Sequence, residues 1–355
     1  MNILLESPLP PPAGGIATWT EKYLEYCKQN VIKVTLVNTA TIGRRKQGGG
    51  RKQFWGDELI RCSQIALHTI KGLKKKPEIA HINTSCSKRG IIRDYIILSL
   101  IKRKKVRVIV QCHCNIETEM GSGRVENCFL KKLCSKADRV LCLNKSSIRY
   151  LHGLGIKNVE LFPNFIDDEM IIEKEKKINQ NLSRILFVGH VARKKGICEL
   201  IETAREFPEI QFDVVGEIFK NQIENIQLPL NVILHGNKSH GEVARYLDKA
   251  DLFVLPSYSE GFSLAVLEAM ARALPIIATD VGYNRELLQK GNGIGGIIIP
   301  PGDVTELKSA VKDLFEVRTR KKMSIRNLRE VKEYSRTRVL HRLFQMYNEV
   351  IGNNV

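Results

Sequence analysis

A chain of 355 residues, 43% hydrophobic and 26% charged, has ordinary globular composition and material for two cores of roughly 150 residues each. No apolar run reaches the roughly 18 residues a membrane-spanning helix needs, and the opening MNILLESPLP lacks the regions of a secretory signal, so a cytoplasmic protein is expected. Of the net charge of +18, residues 1–165 carry almost all, with 29 basic and 12 acidic side chains against 27 and 26 in the remainder, which points the first half at an anionic surface, nucleic acid or phosphorylated substrate.

Residues 2–5 read as a short apolar strand, followed by a proline-rich loop and Gly14-Gly15. A helix is expected over 18–27, where Trp19 and Tyr23 fall at helical spacing, then a strand over 31–37 and a flexible basic loop over 43–53 with three consecutive glycines. The stretch 57–76 predicts an amphipathic helix, with Leu59, Ile60, Leu67, Ile70 and Leu73 as its apolar residues and lysines at its end. Strands over 79–82, 106–111 and 140–143 follow, with helices between them. Such alternation predicts a parallel sheet covered on both faces. After Pro163-Asn164-Phe165-Ile166-Asp167, the charged stretch 168–181 reads as a linker, and the rhythm restarts. Strands are expected over 185–188, 212–215, 232–234, 252–255, 276–278 and 297–299, and helices over 197–207, 241–249, 263–272 and 305–315. The expected boundaries are 1–166 and 167–334 for two doubly wound α/β domains, with 335–355 as a helix returning to the first.

Residues 256–270, PSYSEGFSLAVLEAM, hold the densest constellation. A strand ends at Leu255 where open α/β sheets bind ligands. Ser263 can cap the next helix, whose first N–H groups and partial positive charge suit a phosphate. Glu260 precedes that terminus and Glu268 lies just over a turn into the helix. Carboxylates beside an anion site suit sugar or ribose hydroxyls, because each accepts several hydrogen bonds.

Glu260 and Glu268, with Gly261-Phe262-Ser263 between them, resemble the E-x7-E motif of family 4 glycosyltransferases, whose GT-B fold has two Rossmann-like domains. Gly14-Gly15 resembles that family's glycine loop, Pro163 to Asp167 its domain junction, Phe187-Val188-Gly189 through Lys195-Gly196 its G-R-x5-K-G stretch, and Val281-Gly282 to Glu286 its later V-G-G-x-x-E. The resemblance spans nearly the whole chain. It implies Glu260 and Gly261 at the transferred sugar, Glu268 at the ribose, and Gly15, Arg193, Lys195, Phe262, Ser263 and Leu264 at the donor diphosphate. It further implies His113 as the histidine near the reacting sugar, and transfer with retention. His190, Gly216, Asn237 and Lys238 are candidate base or phosphate contacts.

Departures from the family pattern are His190 where an arginine is usual, Phe165 for the junction glycine and Tyr283 for a later glycine. Arg193 is the candidate replacement cation. Gly291 to Gly296 spells G-x-G-x-x-G, but it follows a helix and precedes a strand, the reverse of a dinucleotide fingerprint. The nine cysteines lack paired C-x2-C spacing and no D-x-D occurs, so neither a metal nor another cofactor is expected. The basic runs Arg44-Arg45-Lys46, Lys74-Lys75-Lys76 and Lys102-Arg103-Lys104-Lys105 are candidates for a membrane or acceptor patch, each residue worth about 1 kcal/mol near an anionic leaflet. They lack interleaved aromatics, which disfavours nucleic acid.

The expected activity is transfer of a hexose or N-acetylhexosamine from a nucleotide-sugar, a UDP-sugar first, to a lipid-diphosphate-linked saccharide at the inner membrane face. Competing readings are a sucrose- or sucrose-phosphate-type transferase with a soluble acceptor, a non-catalytic nucleotide-binding subunit, and a nucleic-acid-binding protein.

Overall fold

The computed structural model describes residues 1–10, 14–40, 55–121, 123–224, 226–291 and 293–352. It divides into two units, Met1–Asn164 with Val339–Val355, and Phe165–Arg338. The glycine-rich basic loop, including Arg44, Arg45 and Lys46, lies outside the described residues.

In the first unit, buried aliphatic runs form six parallel strands: β1 (Asn2–Ser7), β2 (Lys33–Asn38), β3 (Ile79–Thr84), β4 (Arg107–Cys112), β5 (Arg139–Cys142) and β6 (Val159–Leu161), in the order β2-β1-β3-β4-β5-β6. The short, half-buried β6 has no counterpart among the expected strands; three residues of ordinary hydropathy carry no alternation to read. Helices Trp55–Leu73, Lys88–Lys102 and Arg124–Lys136 share one core with this sheet, built from Leu4, Ile65, Ile82, Leu98, Val110 and Leu133. The helix Trp55–Leu73 corrects the sequence reading. It buries Ile65 and Thr69 and leaves Leu59, Ile60, Leu67 and Ile70 in solvent. Apolar residues ring most of this helix, so periodicity alone picks the wrong face.

The second unit repeats the architecture with β7 (Arg184–Val188), β8 (Gln211–Val215), β9 (Val232–Gly236), β10 (Leu252–Leu255), β11 (Ile276–Thr279) and β12 (Gly296–Ile299), ordered β12-β11-β10-β7-β8-β9. The chain steps outward from β7 to β9 and then resumes on the other side of β7 with β10. That reversal leaves a crevice outside the carboxyl ends of β7 and β10. The stretch expected to be a linker packs along this unit instead. Arg320 donates to the carbonyls of Asn179 and Gln180 at 2.9 and 2.8 Å, Lys176 donates to those of Leu247 and Asp248, and Asp251 accepts from Asn179 and Ser183. The anchoring runs through Lys176, Asn179 and backbone carbonyls, while Glu173, Lys174, Glu175 and Lys177 stay exposed as local composition expects.

The helix Arg336–Gly352 starts in the second unit, and its residues from Val339 onward belong to the first. There Tyr347 hydroxyl meets His81 Nδ1 at 2.5 Å and Tyr23 hydroxyl at 3.3 Å, while Phe344 stacks on Tyr23 and Tyr26.

Candidate functional site

The loops that leave β7 and β10 meet at the switch point. After β7 the chain passes Gly189 and a short turn, Arg193–Lys195, before the helix Ile197–Ala204. Gly196 has φ +74°, and a Cβ there would sit 2.0 Å from the Pro256 carbonyl oxygen. Only glycine lets the two loops approach this closely. The Tyr258 amide donates to the Lys194 carbonyl at 3.0 Å, which joins them further. The loop after β11 closes the third side: Gly282 has φ +61° and its absent side chain would lie 2.4 Å from the Glu260 carbonyl oxygen.

These constraints place Lys195 Nζ 2.7 Å from Glu260 Oε1, an ion pair drawn from loops 65 residues apart, with Glu260 only 11% exposed. Ser263 caps the helix Leu264–Ala271, its hydroxyl accepting from the Val266 amide at 3.3 Å. Phe262 is buried and stacks on Tyr283 with ring centres 5.2 Å apart, so the departure at Tyr283 supports the loop from behind. Phe165 is likewise buried.

Glu268 has its carboxyl pushed up to about 7, first by burial and then by the negative charge of Asp167. His240 Nδ1 lies 3.9 Å from Glu268 Oε1, and Arg336 holds Asp167 at 3.1 Å. The motif reading singles out Asp167 only as the end of the junction motif, without placing it by Glu268, and it does not name His240 or Arg336. The three come from separate segments, and no local spacing announces that they meet.

The remaining candidates divide. Arg193 is exposed and spends its backbone N–H and its Nε on Gln222 at 3.0 and 3.2 Å. His190 packs its ring edge-on to Phe219. Gly216 lacks a side chain for a packing reason, because a Cβ there would fall 1.9 Å from the Gly189 carbonyl oxygen. Asn237 and Lys238 follow β9 and lead into the helix His240–Lys249, whose first residue is the His240 beside Glu268. Lys195, Glu260, Gly261, Phe262, Ser263, Leu264 and Glu268 therefore form one group at the switch point.

In the first unit, Gly14 and Gly15 open the helix Gly15–Gln29, and a Cβ at either would meet none of the described residues within 4 Å. His113 follows β4, its Nε2 2.9 Å from Asn83 Oδ1. Asn83 in turn donates to Ser7 Oγ at 2.9 Å, and Ser7 bonds Thr20 at 2.6 Å. With the Asn83 amide committed to Ser7, its oxygen accepts the His113 Nε2–H, which leaves Nδ1 as a hydrogen-bond acceptor. Burial, with His81 nearby, pulls the His113 imidazole down to about 3. Nitrogen-15 NMR is therefore expected to show His113 neutral, protonated on Nε2, from pH 5 to 8. Asn83→Ala is expected to mix the tautomers. A wild-type midpoint near 6.5 would contradict this assignment.

Lys74–Lys76 and Lys102–Lys105 lie where helices end, before β3 and β4 begin. That is the opposite edge of the sheet from His113 and Gly15, a strand length of about 20 Å away. Their placement separates them from any acceptor bound beside His113. No disulfide joins any of the nine cysteines, and among the described residues no three His, Cys, Asp or Glu side chains are arranged to hold a metal ion.

Two family models divide the chain between them: Glycosyltransferase Family 4 matches residues 13–170 and Glycosyl transferases group 1 matches residues 168–331. An uncharacterized 41.2 kDa protein in the cps region of Klebsiella pneumoniae is 26% identical over 259 residues, 69% of this chain and 71% of that protein. The alpha-galactosylglucosyldiacylglycerol synthase of Streptococcus pneumoniae is 26% identical over 262 residues, 65% of this chain and 68% of that protein. Among solved structures, Anabaena HepE in complex with UDP superposes with a TM-score of 0.74 at 14% identity, covering 98% of this chain and 100% of that one. At that identity the likeness is one of fold.

Proposed function

We propose that this chain, which belongs to the glycosyltransferases of GT-B fold, transfers a hexose or N-acetylhexosamine from a UDP-sugar to a lipid-linked saccharide. The reaction keeps the anomeric configuration, needs no metal, and serves capsular, exopolysaccharide or lipopolysaccharide assembly at the cytoplasmic face of an anionic membrane. The observation that carries this reading is the Lys195–Glu260 pair, 2.7 Å apart, beside a helix N-terminus capped by Ser263 and within one helix of Glu268. The relatives' capsule-region and glycolipid-synthase names and the UDP complex support the substrate classes.

In this reading the bond from the sugar's anomeric carbon to the diphosphate oxygen breaks and a bond to the acceptor oxygen forms on the same face. The acceptor proton passes to a phosphate oxygen of the departing nucleotide. Charge growing on the diphosphate is met by Lys195 and by the helix N-terminus at Ser263. Glu260 accepts from the sugar hydroxyls while held by Lys195. Glu268 accepts from the ribose and does so best as a carboxylate. His113 offers Nδ1 as an acceptor in the saccharide-binding unit.

Thermal shift with UDP, GDP and ADP, with and without chelator, tests the donor site. UDP at a hundred times its dissociation constant is expected to add about 2.7 kcal/mol of stability, indifferent to chelator and weakened in Glu268→Gln. The pH dependence has a definite sign. Glu268 titrates near 7 in the free protein, and a bound ribose favours its ionised form. UDP affinity relative to the Glu268→Gln variant should therefore fall by up to tenfold per pH unit as pH drops below about 7, and level off above it. No stabilisation by any nucleotide would overturn the reading.

A further inference from the structure

The face that the helix Trp55–Leu73 turns outward is apolar where a solvated helix would be polar. Leu59, Ile60, Leu67 and Ile70 are 64, 60, 58 and 43% exposed. At about 100° per residue they fall within roughly a 100° arc, and Lys71 and Lys74 project from the same side. The neighbouring helices of the layer add Ile96 at 48% and Val125 at 60%. Of the eight large apolar side chains that the described part of this unit exposes, six stand on these three helices. Exposed apolar area is ordinarily scattered; gathered on one layer it marks a contact surface.

Charge says what the contact is with. The helix ends at Lys74–Lys76 and the next helix at Lys102, followed by Arg103–Lys105, all exposed except Lys102, which pairs with Asp138. Between helices Lys88–Lys102 and Arg124–Lys136 a groove of about 710 Å³ counts Ile96, Leu100, Arg103 and Lys136 among its lining residues. A second protein face would need matching acidic side chains, whereas an acidic bilayer supplies both the negative surface and the apolar depth. We infer that the layer Trp55–Leu73, Lys88–Lys102 and Arg124–Lys136 is a membrane-docking face. The helix Trp55–Leu73 lies in the interface plane, with Leu59, Ile60, Leu67 and Ile70 among the acyl chains and the two lysine-rich helix ends against acidic headgroups. For its choice of partner the inference rests on the proposed lipid-linked acceptor. It goes beyond that reading in assigning the surface, and it adds apolar insertion to an attraction that charge alone would leave entirely salt-sensitive.

The test is co-sedimentation with phosphatidylcholine vesicles holding either none or 30% phosphatidylglycerol, at 0.1 and 0.5 M NaCl. The wild type is expected to bind the acidic vesicles at least tenfold better than the neutral ones, with a fraction that survives 0.5 M salt. The quadruple variant Leu59→Ser, Ile60→Ser, Leu67→Ser and Ile70→Ser should lose that fraction and bind at least tenfold more weakly at 0.1 M. Because all four positions are exposed, its thermal shift with UDP should be that of the wild type, which separates a failed docking face from a failed donor site. Leu67→Trp provides an independent reading: its added fluorescence should shift to the blue on acidic vesicles and be quenched by brominated lipid. A quadruple variant that binds like the wild type overturns the assignment. So does a wild type that binds neither vesicle, or one that forms a dimer in sedimentation velocity that the four serines dissolve.

Discussion

Lys195→Ala is expected to lower the rate of sugar transfer or release from the UDP-sugar by about 10²–10³-fold in kcat/KM, with a parallel loss of UDP affinity. The size follows from what the substitution leaves behind. Lys195 faces Glu260 at 2.7 Å, and Glu260 is largely buried, so the alanine variant strands a carboxylate where the diphosphate must enter. The donor then loses a cation and meets an uncompensated anion. Glu260→Gln removes that anion, keeps an acceptor for the sugar hydroxyls, and should bind UDP at least as well as the wild type while transferring poorly. The double variant should therefore recover part of the UDP affinity lost in Lys195→Ala, a coupling that isothermal titration calorimetry of the four proteins measures directly. Equal UDP affinity in wild type and Lys195→Ala would remove the lysine from the donor site.

The largest expected loss of stability is in Gly196→Ala, about 3 kcal/mol or more in chemical denaturation. Its φ of +74° costs an alanine roughly 1–2 kcal/mol, and the new Cβ would lie 2.0 Å from a backbone oxygen, Pro256, which cannot rotate away. Relief requires separating the two loops that bring Lys195 to Glu260, so residual folded protein should also bind UDP weakly. Gly15→Ala provides the contrast. None of the described residues lies within 4 Å of a Cβ there and it opens a helix, so folding should be unaffected or slightly favoured. If the glycine at 15 serves close approach of a ligand, its alanine variant loses turnover without losing stability. A stable Gly196→Ala protein would show that the loop packing is not what builds the site.

The basic half illustrates how charge can be legible while its meaning is not. Counting side chains shows that residues 1–165 are a polycation. Strand direction shows that Lys74–Lys76 and Lys102–Lys105 lie at the edge remote from His113, a fact that needs the order β1-β3-β4 in a parallel sheet. The amphipathic reading of 57–76 fails for a related reason. Leu59, Ile60, Leu67 and Ile70 satisfy helical spacing as well as Ile65 and Leu73 do, and only packing against the sheet decides which set is buried.

What the sequence by itself determined is the alternation of apolar strands and helices, the two doubly wound units, and the 256–270 constellation. These are local patterns: strand burial shows as short apolar runs, a helix start as a serine cap, and a phosphate-suited turn as glycine beside it. Tertiary structure decided whatever depends on two distant segments meeting. It paired Lys195 with Glu260 across 65 residues and set Asp167 and His240 beside Glu268. It fixed the His113 tautomer through Asn83, and it packed the supposed linker onto Arg320. A carboxylate's proton affinity and a helix's buried face are properties of surroundings, and surroundings are assembled by sheet order rather than by spacing along the chain.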